Sequence, residues 1–319
     1  MARTRYAPDR GLTVRMTVTM FLLGLVFVAF VALIIGIMIA AHASGAAIVL
    51  VALVFGGGSA IASLFYSDKI ALAAAGARVV SPQEAPELHG IVDRLCALAD
   101  MDKPRVAIAP TNMPNAFATG RNSKNSVLCV TQGLLDSRLN LTKEELEGVL
   151  AHELSHVAHK DVQVMTVASL LAIVAGLLVR FAFYSELFGG GRRNNNQNAF
   201  PIILAIMLVS VVVYAVSFLL IRVLSRYREL AADRSGALLT GQPSALASAL
   251  VKVSNSMSRI PSQDLRAAEA MNAFYFAPAM KLTGGGKSLS TVFSTHPSLE
   301  RRLAELEKIQ KQLGQMTPQ

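Results

Sequence analysis

From Met16 to Ser67 the chain runs for 52 consecutive positions without an Asp, Glu, Lys or Arg. A wholly soluble globular fold is excluded by that run. Soluble chains carry about 25% charged residues, and here the share is 16%, with 53% hydrophobic residues. Such hydrophobicity also excludes disorder. With only two cysteines, Cys96 and Cys129, a disulfide scaffold is excluded as well. There is no Trp, so any aromatic belt at a membrane interface rests on Phe and Tyr.

The run divides into Met16–Ala40 and Gly45–Tyr66, 25 and 22 residues long, and a helix needs roughly 20 to cross the hydrocarbon core. Ala41-His42-Ala43-Ser44 after a basic start resembles a signal-cleavage site, but a signal core is only about 7 to 15 apolar residues. An uncleaved hairpin is expected. Two more candidates follow, Val162–Tyr184 and Phe200–Ile221, joined by a low-complexity polar linker over 186–198. Four crossings put both termini on one side. Of the 30 basic residues, 27 fall in the tail, in 69–160 or from Arg222 onward, leaving Arg180, Arg192 and Arg193 opposite. The positive-inside rule makes the larger set cytoplasmic. A third and fourth segment that dip in and return as a hairpin stay open as an alternative.

The same argument removes the reading of the surplus of 9 positive charges as nucleic-acid binding, because basic residues beside membrane segments set orientation and meet anionic lipid. Gly284-Gly-Gly-Lys287-Ser288 lacks the earlier glycine of a phosphate loop, Lys281 standing in its place, and reads as a loop. The cysteines read as reduced, buried, small apolar residues.

In the polar portion, Leu88, Ile91, Val92, Leu95 and Leu98 recur at helical spacing over Ala85–Ala99. Val106–Ala109, Asn115–Thr119 and Val127–Thr131 read as strands of a small sheet. A further helix is expected from Thr142, which stands three residues before Glu145 in capping-box spacing. Leu146, Val149, Leu150 and Leu154 supply its buried stripe. His152 and His156 then share one face, able to reach one metal ion, with Glu153 placed to address a water on it. This is the HExxH pattern of zinc metallopeptidases.

A catalytic zinc takes three protein ligands and leaves a position for water. A histidine six residues after His156 is excluded, since Val162 is there. His159 lies about 10 Å along the helix from His152, too far to converge, and reads as a supporting or surface residue. After Asp161 the next acids are Glu186, expected across the membrane, then Glu229 and Asp233. Glu229 is the first acid able to return to the site, and Asp233, one helical turn on, could orient a histidine. A pair of exposed helix charges remains the alternative.

These residues resemble the HtpX-type membrane metallopeptidases, relatives of the CAAX prenyl proteases. The resemblance runs through Asn115-Ala116-Phe117-Ala118-Thr119-Gly120, Thr131-Gln-Gly-Leu-Leu135, His152-Glu-Leu-Ser-His156 with Asp161, Arg228-Glu-Leu-Ala-Ala-Asp233, and Ser294-Thr-His-Pro297 with Arg302. Leu230, where an aromatic is frequent, touches no expected ligand.

The resemblance implies a mainly α integral membrane protein with four transmembrane helices and a cytoplasmic α+β zincin-like metallopeptidase domain split by the second hairpin. The divisions are 1–66, 67–161, 162–223 and 224–319. It implies a multi-pass protein of a bacterial-type cytoplasmic (inner) membrane that holds one Zn²⁺ per chain and cleaves damaged or misassembled membrane proteins. By the same resemblance Glu229 is the third ligand, beside His152 and His156, and Glu153 is the general base. His296 is a donor to the tetrahedral intermediate held by Arg302, or else part of a plain Thr-His-Pro turn. Asn115, Ala116, Phe117 and Ala118 form an edge strand that aligns substrate, or else a plain hairpin strand. One rival is a prenyl-peptide protease, for which four helices are few. Another is a non-catalytic zinc adaptor, which would be expected to close its metal with four ligands.

Overall fold

The computed structural model of the chain describes residues 10–40, 58–120, 123–169, 172, 174–176, 179, 199–257 and 296–316. The Ala41–Ser44 segment, the start of the second expected crossing, the end of the third, the polar linker and the Gly284–Ser288 loop lie outside them. The chain forms two compact units: one takes in Met1–Thr13, Phe65–Val162 and Ser225–Gln319, the other Val14–Leu64 and Gln163–Leu224.

The first unit is built on a mixed four-stranded sheet in the order β1-β2-β4-β3, with β1 Arg78–Val79, β2 Arg105–Ala109, β3 Ala116–Gly120 and β4 Ser126–Thr131. β2 and β4 run parallel, from Arg105 opposite Val127 to Ala109 opposite Thr131. β3 pairs antiparallel with β4, Ala116 opposite Val130, and so forms an edge. The turn between them needs glycine: Gly120 has φ 143°, and a Cβ there would stand 2.2 Å from the Asn125 carbonyl oxygen.

Both faces of β4 are buried, and the period-two alternation sends its side chains into different layers. Val127 and Cys129 meet Phe117 and Ala71, the latter on helix α2 (Gly58–Ala75), which follows α1 (Arg10–Ala40). Leu128 and Val130 join the larger core of helices. Into that core α3 (Pro86–Ala99) sends Leu88, Ile91, Val92 and Leu95. Pro86 lacks an amide that a first turn could not satisfy. The helix stops at Asp100, whose left-handed φ of 53° lets its amide cap the Cys96 carbonyl.

After the short α4 (Gln132–Leu135) comes α5 (Lys143–Ala158), opened by the full capping box of Thr142 and Glu145. Its Val149, Leu150 and Leu154 pack with Leu246, Leu250 and Val253 of α8 (Pro243–Met257) and Leu306 and Ile309 of α9 (Leu299–Met316). Glu145 also links α5 to α8, accepting from Lys252 Nζ at 2.7 Å and Ser248 Oγ at 2.5 Å.

The second unit holds most of α1, α6 (Asp161–Gly176) and the first part of α7 (Ala199–Thr240). Leu23, Phe30, Ala168, Ala175, Ile206 and Leu224 form its core. Gly176 of α6 faces the Tyr214 ring, which a Cβ added at that position would meet at 3.6 Å, an ordinary van der Waals contact. Phe21, Val28 and Val212 are among the apolar side chains more than 60% exposed, as lipid-facing positions are.

Among the described residues two helices are long and apolar enough to cross a membrane, Arg10–Leu33 and Leu204–Thr240. Charge returns to the second at Arg222, followed by Arg226, Arg228 and Glu229. A crossing needs roughly 20 residues, so the charge-free part before Arg222 suffices. The helix itself does not stop where the hydropathy does, because backbone hydrogen bonding is indifferent to side-chain polarity.

Candidate active site

The pattern of helix α5 places His152 and His156 one turn apart, their rings 5.0 Å between centroids and nearly perpendicular. From α7 Glu229 reaches between them: its Oε2 is 3.7 Å from His152 Nε2 and its Oε1 is 3.6 Å from His156 Nε2. One ligand atom from each of the three residues lies within 4.8 Å of the others. All three sit in the first unit, and the helices approach closely because Gly236, seven residues after Glu229, faces His152. A Cβ on Gly236 would stand 2.9 Å from the His152 backbone nitrogen.

Each imidazole turns its other nitrogen to a carboxylate. His152 Nδ1 is 3.0 Å from Asp233 Oδ1, and His156 Nδ1 is 2.5 Å from Asp161 Oδ2. Each carboxylate in turn holds an arginine. Arg302 Nε and Nη2 donate to the two oxygens of Asp233 at 2.7 and 2.6 Å, while Arg228 Nε is 3.0 Å from Asp161. A carboxylate on Nδ1 fixes the tautomer and presents Nε2 as a lone pair, the arrangement that metal-binding histidines favour.

Burial sets the proton affinities. It lowers the His152 pKa to about 4 against the opposing pull of Asp233, so the ring is neutral near pH 7. Burial alone would also lower His156, but Asp161, Glu229 and Glu153 outweigh it and raise its pKa. Burial would raise Asp161, but Arg228 and His156 hold it at about 2. Glu153 goes the other way. Burial, reinforced by Glu229, lifts it to about 8, while His156, Arg302 and the backbone amide of Ala118 on β3 resist.

The family model for peptidase family M48 matches residues 82–310. The chain belongs to peptidase family M48. It is 58% identical over 313 residues to Protease HtpX homolog 1 of Streptomyces coelicolor, covering 98% of this chain and 97% of that protein. Protease HtpX homolog of Moorella thermoacetica is 50% identical over 312 residues, 98% of each chain. Protease HtpX homolog 2 of Methanosarcina mazei is 49% identical over 312 residues, 98% of this chain and 100% of that one. This M48 chain is therefore a membrane-bound metalloprotease, and the zinc chemistry of its family fits the donor set: a neutral His152, a second imidazole and a carboxylate converge in a buried site.

The other residues singled out from the M48 sequence lie as follows. His296 is buried and its Nδ1 donates to Glu229 Oε2 at 3.0 Å. Arg302 was expected to hold His296; its guanidinium grips Asp233 and comes within 4.0 Å of Glu229. Asn115, Ala116 and Phe117 are buried and Ala118 half-buried, leading into and along β3. His159 ends α5, its amide on the Ser155 carbonyl and its Nε2 3.3 Å from Ser235 Oγ. In the sequence Asp161 and Arg228 stand among the motif residues of the resemblance, but neither was given a role. The signal available was Asp161 five residues past His156, but a left-handed Lys160, φ 57°, intervenes and helical spacing does not carry across it.

Proposed function

We propose that the chain hydrolyses peptide bonds at one zinc ion held by His152, His156 and Glu229, with Glu153 as general base. The observation that carries this reading is the convergence of three ligand atoms within 4.8 Å beside a buried glutamate. When bound, zinc supplies the positive charge that acidifies a water and polarises the scissile carbonyl. Glu153 takes the proton from the attacking water and delivers it to the leaving amine; with its pKa at about 8 it would hold its own proton near pH 7, and the charge of a bound zinc would lower that pKa again so that it can accept one. Asp233, clamped by Arg302, holds the His152 ring in place. His296 steadies Glu229 through Nδ1; as an imidazolium, with a proton on each ring nitrogen, it would also donate from Nε2 to the tetrahedral intermediate.

An extended substrate adds along the edge strand β3, with Asn115, Ala116, Phe117 and Ala118 as its template. The edge position in the sheet and the Ala118 amide directed at Glu153 support this. Four crossings, with the divisions 1–66, 67–161, 162–223 and 224–319, place the site and both termini at the cytoplasmic face of a bacterial-type inner membrane. The support is the distribution of 27 of 30 basic residues on one side of the expected spans. Damaged or misassembled membrane proteins are the substrates this arrangement suits.

Purified full-length protein incubated with an unfolded protein such as casein tests the chemistry. Glu153→Gln is expected to retain stoichiometric zinc and lose cleavage by at least about 100-fold. Cleavage by Glu153→Gln at the wild-type rate would overturn the mechanism.

A further inference from the structure

We propose that Asp161 and Arg228 are a positioning pair for His156, holding its Nε2 toward Glu229 and fixing the spacing between α5 and the segment of α7 that carries that glutamate. This rests on the zinc reading above and extends it to two residues with no part in the reaction itself.

The two imidazoles are supported in parallel ways. His152 leads to Asp233 and then Arg302; His156 leads to Asp161 and then Arg228. The first relay draws its arginine from α9, whereas the second draws it from the residue immediately before Glu229. A single oxygen, Asp161 Oδ2, meets both His156 Nδ1 at 2.5 Å and Arg228 Nε at 3.0 Å. Moving Arg228 along α7 therefore moves the carboxylate that orients His156, and moves Glu229 with it.

Burial makes the pair consequential. Asp161 is 1% exposed and the Arg228 side chain 13%. An ion pair taken out of water is, as a source of stability, often no better than apolar packing, because desolvation offsets attraction. Its geometry is specific, however. Lys160 takes a left-handed turn between α5 and α6, and that turn places Asp161 back under His156 rather than one further step along the helix. The metal ligands come from chain segments 73 residues apart, His156 and Glu229. The Asp161–Arg228 contact ties those segments together beside the ligands.

Zinc affinity of the metal-stripped, full-length protein, measured by competition with a chromophoric chelator, is the test. Asp161→Asn preserves shape and is expected to weaken zinc binding about 10- to 100-fold. Arg228→Gln, one contact further out, is expected to weaken it less, and the double variant no more than Asp161→Asn alone, since both changes break one relay. With Co²⁺ in place of zinc, Asp161→Asn should alter the visible bands, a readout that loss of general stability does not produce. Wild-type zinc affinity and an unchanged Co²⁺ spectrum in Asp161→Asn would overturn the proposal. If that variant does not fold, Arg228→Gln decides, and wild-type affinity there has the same consequence. His156→Ala separates the two readings: zinc bound as tightly as by wild type would mean that His156 is no ligand, a failure of the zinc site rather than of the relay.

Discussion

Gly236 governs how closely α7 can lie against the backbone of His152. Its missing side chain is replaced, in effect, by the His152 nitrogen 2.9 Å and the Ala151 carbonyl carbon 3.2 Å from where a Cβ would be. Because those neighbours are backbone within a packed helix, they cannot swing aside. Gly236→Ala should force the helices apart, cost about 1–3 kcal/mol, and weaken zinc binding by carrying Glu229 and Asp233 away from His152. Thermal melts and zinc titration of the variant check this; unchanged values for both would show that the close approach is dispensable. At this scale the site was partly legible. Two histidines one turn apart declare a shared helical face, and that needs only spacing. The partners of Arg302 and Asp161 do not follow from spacing, because each contact is made between segments that only the fold brings together.

At the scale of elements, the start of α5 is fastened more firmly than a capping box requires. Glu145 accepts from the Thr142 amide at 2.7 Å and from Lys252 and Ser248 of α8. Burial would raise its pKa, but those donors together hold it below the ordinary carboxylate value. A carboxyl with a lowered folded pKa adds stability above its unfolded pKa and loses that contribution as pH falls through the folded value. Glu145→Gln should therefore be less stable than wild type near neutral pH, by about 1–3 kcal/mol in denaturant unfolding, with the gap closing in acid. A gap independent of pH would contradict the charge-based account. Thr142→Ala should cost about 1 kcal/mol. This helix was readable in advance, cap included, as were α3 and the strands expected at 106–109, 115–119 and 127–131, the second lying one residue later in the structure, since each carries a distinct period and a clear stop. β1 escaped because it spans two exposed residues. Glu229 and Asp233 were read as helical; that one unbroken α7 carries them on from the apolar stretch was not read, because a change of solvent along a helix looks, in sequence, like its end.

For the whole molecule, the charge distribution and the site make one joint demand: the segments holding His156 and Glu229 must emerge on the same side of the membrane. A reporter that matures only in the cytoplasm should be active when fused after Gln319 and inactive when inserted between Glu186 and Asn198; activity at both would remove the four-crossing topology. Glu229, 73 residues after His156, is the residue that this topology must bring back to the same side. Zinc content measures that return most directly. Purified wild-type protein should carry one zinc per chain, and Glu229→Ala, compared at equal protein and after the same dialysis, should carry little or none while keeping its helical circular dichroism. A folded Glu229→Ala protein that still holds one zinc with wild-type affinity would contradict the account.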